Sequence, residues 1–285
     1  MFIHYRTQGF ILRKVDRGEA DQLFTIYTEK FGKLEVLGKA IRKISSKLRS
    51  GADIFYLSNI EFIQGKAHKT LTDAILINNF KNLRLQPALP SSQPSAGPQD
   101  LKRLAVAFKI SEALDNLVKG QEPEDNIWNL LRDVFEKLND LRFKIYDLRL
   151  IYYYFLWNLL SVLGYELGLY NCSICQKKLI PQNIYFTPKE GGLICQNCFK
   201  KLQSVEEGKS SSSLATLSRG ARKSGSSFDF AAARVGKEIN PEIVKILRII
   251  YKKDWPTISK LKIEKSHLNS LKVISEECYS YFHNN

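Results

Sequence analysis

Asp21-Gln-Leu-Phe-Thr-Ile-Tyr-Thr-Glu-Lys-Phe-Gly-Lys-Leu-Glu-Val-Leu-Gly38 contains two short β-prone runs, Asp21–Thr28 and Gly32–Gly38, with a glycine where the chain has to turn between them. Phe10-Ile-Leu-Arg-Lys-Val15 precedes them and Asp53-Ile-Phe-Tyr-Leu57 follows, and several of these runs alternate apolar with polar residues. Gly18, Gly32, Gly38, Gly51 and Gly65 fall near the expected turns or bulges. Strands this short leave exposed edges unless the sheet closes on itself, so residues 1–80 are expected to form a five-stranded barrel. The pattern admits an OB-like or an SH3-like closure and does not choose between them.

Beyond the barrel the composition changes. Gln86-Pro-Ala-Leu-Pro-Ser-Ser-Gln-Pro-Ser-Ala-Gly-Pro98 can continue neither helix nor sheet, which predicts a linker over 81–99. From residue 100 the apolar period becomes helical. Leu101, Leu104, Ala105, Phe108 and Leu117 share a face, Pro123 opens a second helix through Leu138, and Leu141–Leu163 supplies a third that is apolar almost all round. That third helix reads as the centre of a helical domain over 100–170, with Tyr152-Tyr-Tyr-Phe155 better placed in a core than on a stacking platform. Arg149 and Asn158 interrupt its apolar run, which is too short and too polar to cross a membrane.

Cys172-Ser-Ile-Cys175 and Cys195-Gln-Asn-Cys198 are separated by 19 residues, in a chain with one further cysteine, Cys278. Each pair can turn two thiolates toward one ion, and the intervening chain is long enough to fold back as a hairpin. One structural zinc held by Cys172, Cys175, Cys195 and Cys198 is expected over 171–200. All four positions are sulfur, which leaves no ligand slot for a reactive water; a redox dithiol or disulfide pair is the alternative. Cysteine pairs of this kind suit a reducing cytoplasm, and Met1–Phe10 has polar residues where a signal peptide would be apolar.

Residues 201–235 are serine-rich and basic, which reads as a flexible segment from about Ser204 onward. Helical patterns resume at Pro241–Tyr251 and Leu261–Tyr281, and the C-terminal helices over 236–285 are expected to pack on the helical domain. The fold class is multidomain α+β.

The 43 Lys and Arg against 29 Asp and Glu, a formal charge of +14, favour a polyanionic partner, nucleic acid before lipid. Lys39-Ala-Ile-Arg-Lys-Ile-Ser-Ser-Lys-Leu-Arg-Ser-Gly51 carries five cations and no acid. Lys39, Arg42, Lys43, Lys47 and Arg49 are the candidate phosphate contacts, with Ser45, Ser46 and Ser50 as further donors. Phe24, Tyr27, Phe31, Phe55 and Tyr56 are candidates for base stacking or, individually, for the barrel core. A second cationic field includes Lys252, Lys253, Lys260 and Lys262. No Walker loop, HExxH or GxSxG motif is present, and His4, His68, His267 and His283 are scattered, so no catalytic residue is assigned. A zinc-containing RNA-binding protein or transcription regulator shares these features, as does an adaptor for acidic proteins.

Gly9-Phe-Ile-Leu-Arg13, Gly18-Glu-Ala-Asp21, Thr25-Ile-Tyr-Thr-Glu-Lys-Phe-Gly-Lys33 and the run Lys39–Arg49 together resemble the N-terminal domain of the bacterial DNA repair and recombination mediator family RecO. The two CxxC pairs, with Gly191-Gly-Leu-Ile-Cys195, resemble that family's zinc module. The resemblance implies an OB fold and a helical domain, binding of single- and double-stranded DNA, strand annealing without catalysis, and cooperation with RecR, RecA and single-strand DNA-binding protein. It also implies a cytoplasmic location, nucleoid-associated during repair. Where the family pattern has Lys-Gly-Ala-Arg, this chain reads Lys39-Ala-Ile-Arg42, a change that bears on the local backbone more than on charge. The serine-rich stretch around 204–225 is longer than the family norm.

Overall fold

In the computed structural model strand β1 (His4–Arg17) pairs antiparallel with β2 (Asp21–Thr28) and, along His4–Phe10, with β4 (Leu57–Gln64). Strand β3 (Gly32–Gly38) follows β2, and β5 (Lys69–Asn78) joins β3 in parallel and β4 antiparallel. The order β1-β2-β3-β5-β4 closes into a barrel with the strand order of an OB fold, which settles the choice the sequence left open. Residues 3–65, 68–83, 98–142, 145–213 and 236–284 are described. They belong to two units, Met1–Leu159 and Leu160–Asn285.

Ile11, Phe24, Ile26, Leu34, Val36, Ile60, Phe62 and Leu71 fill the barrel. The run Asp53–Leu57, expected as a strand, is a loop that enters β4 only at Leu57. Phe55 takes φ 61°; its amide donates to the Ile11 carbonyl at 2.8 Å, while the Ile11 amide donates to the Tyr56 carbonyl at 2.9 Å. The apolar content of this stretch serves burial and not strand pairing.

Phe10, Phe55 and Phe80 face away from the barrel core toward α1 (Pro98–Leu117) and α2 (Asp125–Asn139). Trp128 and Phe135 of α2 lie 5.1 and 5.3 Å from the Phe10 ring, and Phe108 of α1 lies 4.9 Å from Phe55. Gly32 completes the junction. It has φ 60°, and a Cβ there would stand 2.4 Å from the Glu122 carbonyl oxygen, so the barrel and the α1–α2 connection approach more closely than any side chain permits. Leu83, in the short 3-10 turn Lys81–Leu83, is also buried, so the fold extends into the start of the expected linker; 84–97 lie outside the described residues.

Arg103 is buried beneath α2 and donates through Nη1 to the carbonyls of Leu138 and Asp140 at 2.6 and 2.9 Å, which satisfies carbonyls at a helix end that lack intrahelical partners. Helix α3 (Ile145–Val162) matches the third apolar pattern. Tyr153, Tyr154, Phe155 and Trp157 are buried, and Asn158 satisfies its amide on the Tyr154 carbonyl at 2.7 Å.

The second unit is built on a three-stranded sheet in the order β7-β6-β8, formed by β6 (Ile184–Thr187), β7 (Gly192–Cys195) and β8 (Lys237–Glu238). Strand β8 comes from beyond the serine-rich segment and pairs Tyr185 with Glu238 and Phe186 with Lys237. Helix α4 (Gln196–Ser213) carries the helix begun at the second cysteine pair past Ser204 into the serine-rich stretch, since serine is only mildly unfavourable in a helix. The rest of the serine-rich stretch, 214–235, lies outside the described residues. Asn240 caps α5 (Pro241–Tyr251) by accepting from the Glu242 amide at 2.9 Å, with Pro241 in the first turn. One-turn α6 (Trp255–Ile258) and α7 (Lys265–Asn284) follow, so the last helix starts four residues later than its pattern predicts. Ile243, Leu247, Ile250, Leu268, Leu271, Ile274 and Cys278 are buried.

Candidate metal centre and nucleic-acid interface

The first cysteine pair sits in a tight knuckle. Cys172 donates its amide to the Lys177 carbonyl at 2.9 Å, the Gln176 amide returns to the Cys172 carbonyl at 2.9 Å, and Gln176 takes φ 60°. The second pair is placed by different elements: Cys195 ends β7, and Cys198 lies in the first turn of α4. Ser173 donates its amide to Leu193 at 2.9 Å, which fastens the knuckle to β7. Gly192 makes this possible. At φ 138°, a Cβ would lie 2.8 Å from the Gly168 nitrogen, where the two backbones bond directly.

The four Sγ atoms lie within 4.8 Å of one another, and Cys175 and Cys195 approach to 3.8 Å. A regular tetrahedron with metal–sulfur bonds of about 2.3 Å has edges of about 3.8 Å, so the donor set fits a thiophilic cation. None of the four is in a disulfide. Burial acts to raise the Cys172 thiol, but amides of Cys175, Cys195 and Ile174 outweigh it and bring the group down to about 6. The Cys195 amide points at Cys172 Sγ from 3.4 Å. Burial and the surrounding sulfurs push Cys198 up to about 12. Four thiolates this close are mutually repulsive until a cation neutralises them.

The basic run follows β3 as a loop and ends in the 3-10 turn Lys47–Ser50. Ile41 is buried in the barrel and Leu48 packs against the same core, so the loop is held at both ends. Ala40 donates to Asp21 Oδ1 at 2.7 Å, Arg42 to the Ala20 carbonyl at 3.0 Å, and Lys43 to the Ala40 carbonyl at 3.1 Å. Gly51 seats the far end: a Cβ there would lie 1.9 Å from the Ala74 carbonyl oxygen of β5. Lys39, Arg42, Lys43, Lys47 and Arg49 are all exposed. Arg42 pairs with Asp16 at 3.4 Å, and Lys14, which the sequence reading missed, pairs with Asp53. A cleft of about 510 Å³ opens among Lys14, Gln22, Arg42, Arg49 and Ser50.

None of the five candidate barrel aromatics is exposed. Phe24, Tyr27, Phe55 and Tyr56 are buried, and Phe31 packs edge-on against Tyr5 and Phe62. Tyr27 is pushed up to about 12 by its burial.

Lys252, Lys253, Lys260 and Lys262 are exposed around the end of α5 and the turns about α6. Asp254 lies among them; the Thr257 hydroxyl and amide hold its carboxyl below the usual range, with Lys252 and Lys260 adding to the effect. Arg248 donates to the Leu169 carbonyl at 3.1 and 2.6 Å and covers the Tyr170 ring at 4.4 Å, a link between α5 and the approach to the first knuckle that no local pattern announces. No helix among the described residues is long and apolar enough to cross a membrane.

Residues 1–80 match the family model described as Recombination protein O N terminal, and residues 98–212 match Recombination protein O C terminal. A DNA repair protein RecO of Dehalococcoides mccartyi is 27% identical over 269 residues, covering 94% of this chain and 87% of the relative. RecO proteins of Moorella thermoacetica, 31% identical, and Roseiflexus, 29% identical, each match 68% of this chain and 66% and 62% of their own lengths.

Proposed function

The chain belongs to the RecO family and is a non-catalytic recombination mediator of that type, and from that premise we propose that it binds DNA through Lys39, Arg42, Lys43, Lys47 and Arg49. The observation that carries this reading is an exposed, pinned run of cations on an OB barrel beside a polar cleft. Such a run contacts phosphate and carries no base readout, so binding is indifferent to sequence and steeply dependent on salt.

In this reading residues 1–80 are the DNA-binding domain, 100–170 the helical domain, 171–200 the metal module, and 236–285 the C-terminal helices. Zinc is the ion for Cys172, Cys175, Cys195 and Cys198. It neutralises the thiolates and contributes folding free energy, and with four sulfur ligands it has no position for a reacting water. Lys252, Lys253, Lys260 and Lys262 form a second phosphate-binding field. Two strands repel each other along their whole length; cations on two surfaces lower that repulsion while the bases stay free to pair.

By family resemblance the partners are RecR, RecA and single-strand DNA-binding protein, with single- and double-stranded DNA as the substrates. The deciding experiment is annealing of complementary labelled oligonucleotides without ATP, bare and coated with the cell's single-strand binding protein. Acceleration of both supports the mediator reading; acceleration of neither overturns it.

A further inference from the structure

Ile41, Ile44 and Leu48 are the large apolar residues of the basic run, and the structure treats them differently. Ile41 is 1% exposed and Leu48 packs on the barrel core, but Ile44 is 95% exposed. Single exposed hydrophobic residues are common and need no explanation in general. This one lies in the loop between Ile41 and Leu48, beside Lys43 and within three residues of Arg42 and Lys47, all exposed. Among the described residues no ion pair engages Lys39, Lys43, Lys47 or Arg49, whereas Arg42 pairs with Asp16. Of the barrel aromatics that would otherwise meet bases, Phe24, Tyr27, Phe55 and Tyr56 are buried and Phe31 is half-buried against Tyr5 and Phe62.

An isoleucine has few rotamers to lose, and its apolar surface gains only when it is covered by another apolar surface. Around a polyanion, that surface is a base. Duplex DNA stacks its bases inside and presents phosphate and sugar, whereas a single strand offers free base faces. We propose that Ile44 packs against the base faces of single-stranded DNA held by the neighbouring cations, so that this loop distinguishes single strand from duplex. The inference rests on the DNA-binding reading of the run and adds to it a residue that acts through apolar contact.

The test uses the full chain with Ile44→Ser, Ile44→Phe and the double substitution Lys43→Ser with Lys47→Ser. Affinity is measured on a single strand carrying 2-aminopurine and on a duplex of the same sequence, over a series of salt concentrations. Ile44→Ser is expected to lower single-strand affinity about five- to twentyfold with the salt slope unchanged, and to leave duplex affinity within about twofold. The change in 2-aminopurine emission on binding should shrink, and Ile44→Phe should bind at least as tightly as the parent. Equal loss on single strand and duplex, or no loss on either, overturns the inference. If the lysine double substitution weakens binding while Ile44→Ser does not, only the apolar contact is wrong. If neither changes binding, the run is not the DNA site and both readings fall.

Discussion

Ala40 donates its amide to Asp21 Oδ1 at 2.7 Å while its own backbone sits at φ 51°. The aspartate thus holds, from the start of β2, a residue that an L-amino acid rarely places in the left-handed region. This is the position where the resemblance leads one to expect glycine. The backbone keeps the glycine-type conformation and alanine bears the strain.

Ala40→Gly should therefore stabilise the protein, by about 0.5–1 kcal/mol after the greater entropy of an unfolded glycine is set against the strain removed. Asp21→Ala should destabilise by about 1–2 kcal/mol, because the Ala40 amide loses its acceptor. Chemical denaturation of both variants checks this; a less stable Ala40→Gly would mean that the alanine is not strained.

Gly32→Ala is expected to be far more damaging. The new Cβ would meet the Glu122 backbone at 2.4 Å in a residue already at φ 60°, and neither partner is a flexible side-chain end. A loss of more than about 2 kcal/mol should follow, with the barrel and helices α1 and α2 loosening together. Near-parental stability would show that this close approach can be relaxed at small cost.

The barrel was legible because the β-prone runs of β2 and β3 flank a glycine turn, with burial alternating along β3, and the cysteine module because paired spacing is a strong local signal. What escaped detection depended on distant contacts. Phe55 looks like a strand residue from its neighbours, yet Ile11 fixes it in a loop; β8 is two residues long and acquires its identity only from Tyr185 and Phe186. At the candidate site the five cations were readable from composition alone. Lys14 and Gln22 reach the same cleft from other strands, and Ile44 shares the spacing of buried Ile41 and half-buried Leu48 while standing exposed. No pattern within the run separates those three aliphatic residues.

Removing Lys43 and Lys47 together should weaken binding to every DNA sequence by a similar factor. If both contact duplex phosphates, the slope of log affinity against log salt should fall by about two units. Equal affinity and slope in parent and variant, measured by fluorescence anisotropy, would leave the run as ordinary solvated surface.

Cys195→Ser should lower the metal content of protein purified under reducing, chelator-free conditions and should destabilise the second unit, since it removes one of four thiols that lie within 4.8 Å of one another. Elemental analysis of the parent reads the identity of the ion directly. Finding no zinc would sink the assignment, and a strong chelator that leaves circular dichroism and melting unchanged would remove its structural role.

The cations at Lys252, Lys253, Lys260 and Lys262 separate two models of annealing. If the basic loop on the barrel holds both strands in turn, neutralising these four residues should reduce annealing only as far as it reduces single-strand affinity. If they form a second surface, each protein holds one strand on the loop while the tail receives the other, and annealing should fall by a larger factor than affinity does. The second outcome is expected, because the four side chains are exposed around one helix end while the carboxylate among them, Asp254, is engaged by Thr257. The measurement compares annealing rates at protein concentrations that give equal occupancy of single strands in parent and variant, so that lost affinity is removed from the comparison. A remaining deficit of tenfold corresponds to about 1.4 kcal/mol in the barrier to bringing the second strand in, and equal rates at equal occupancy would take the tail out of the mechanism.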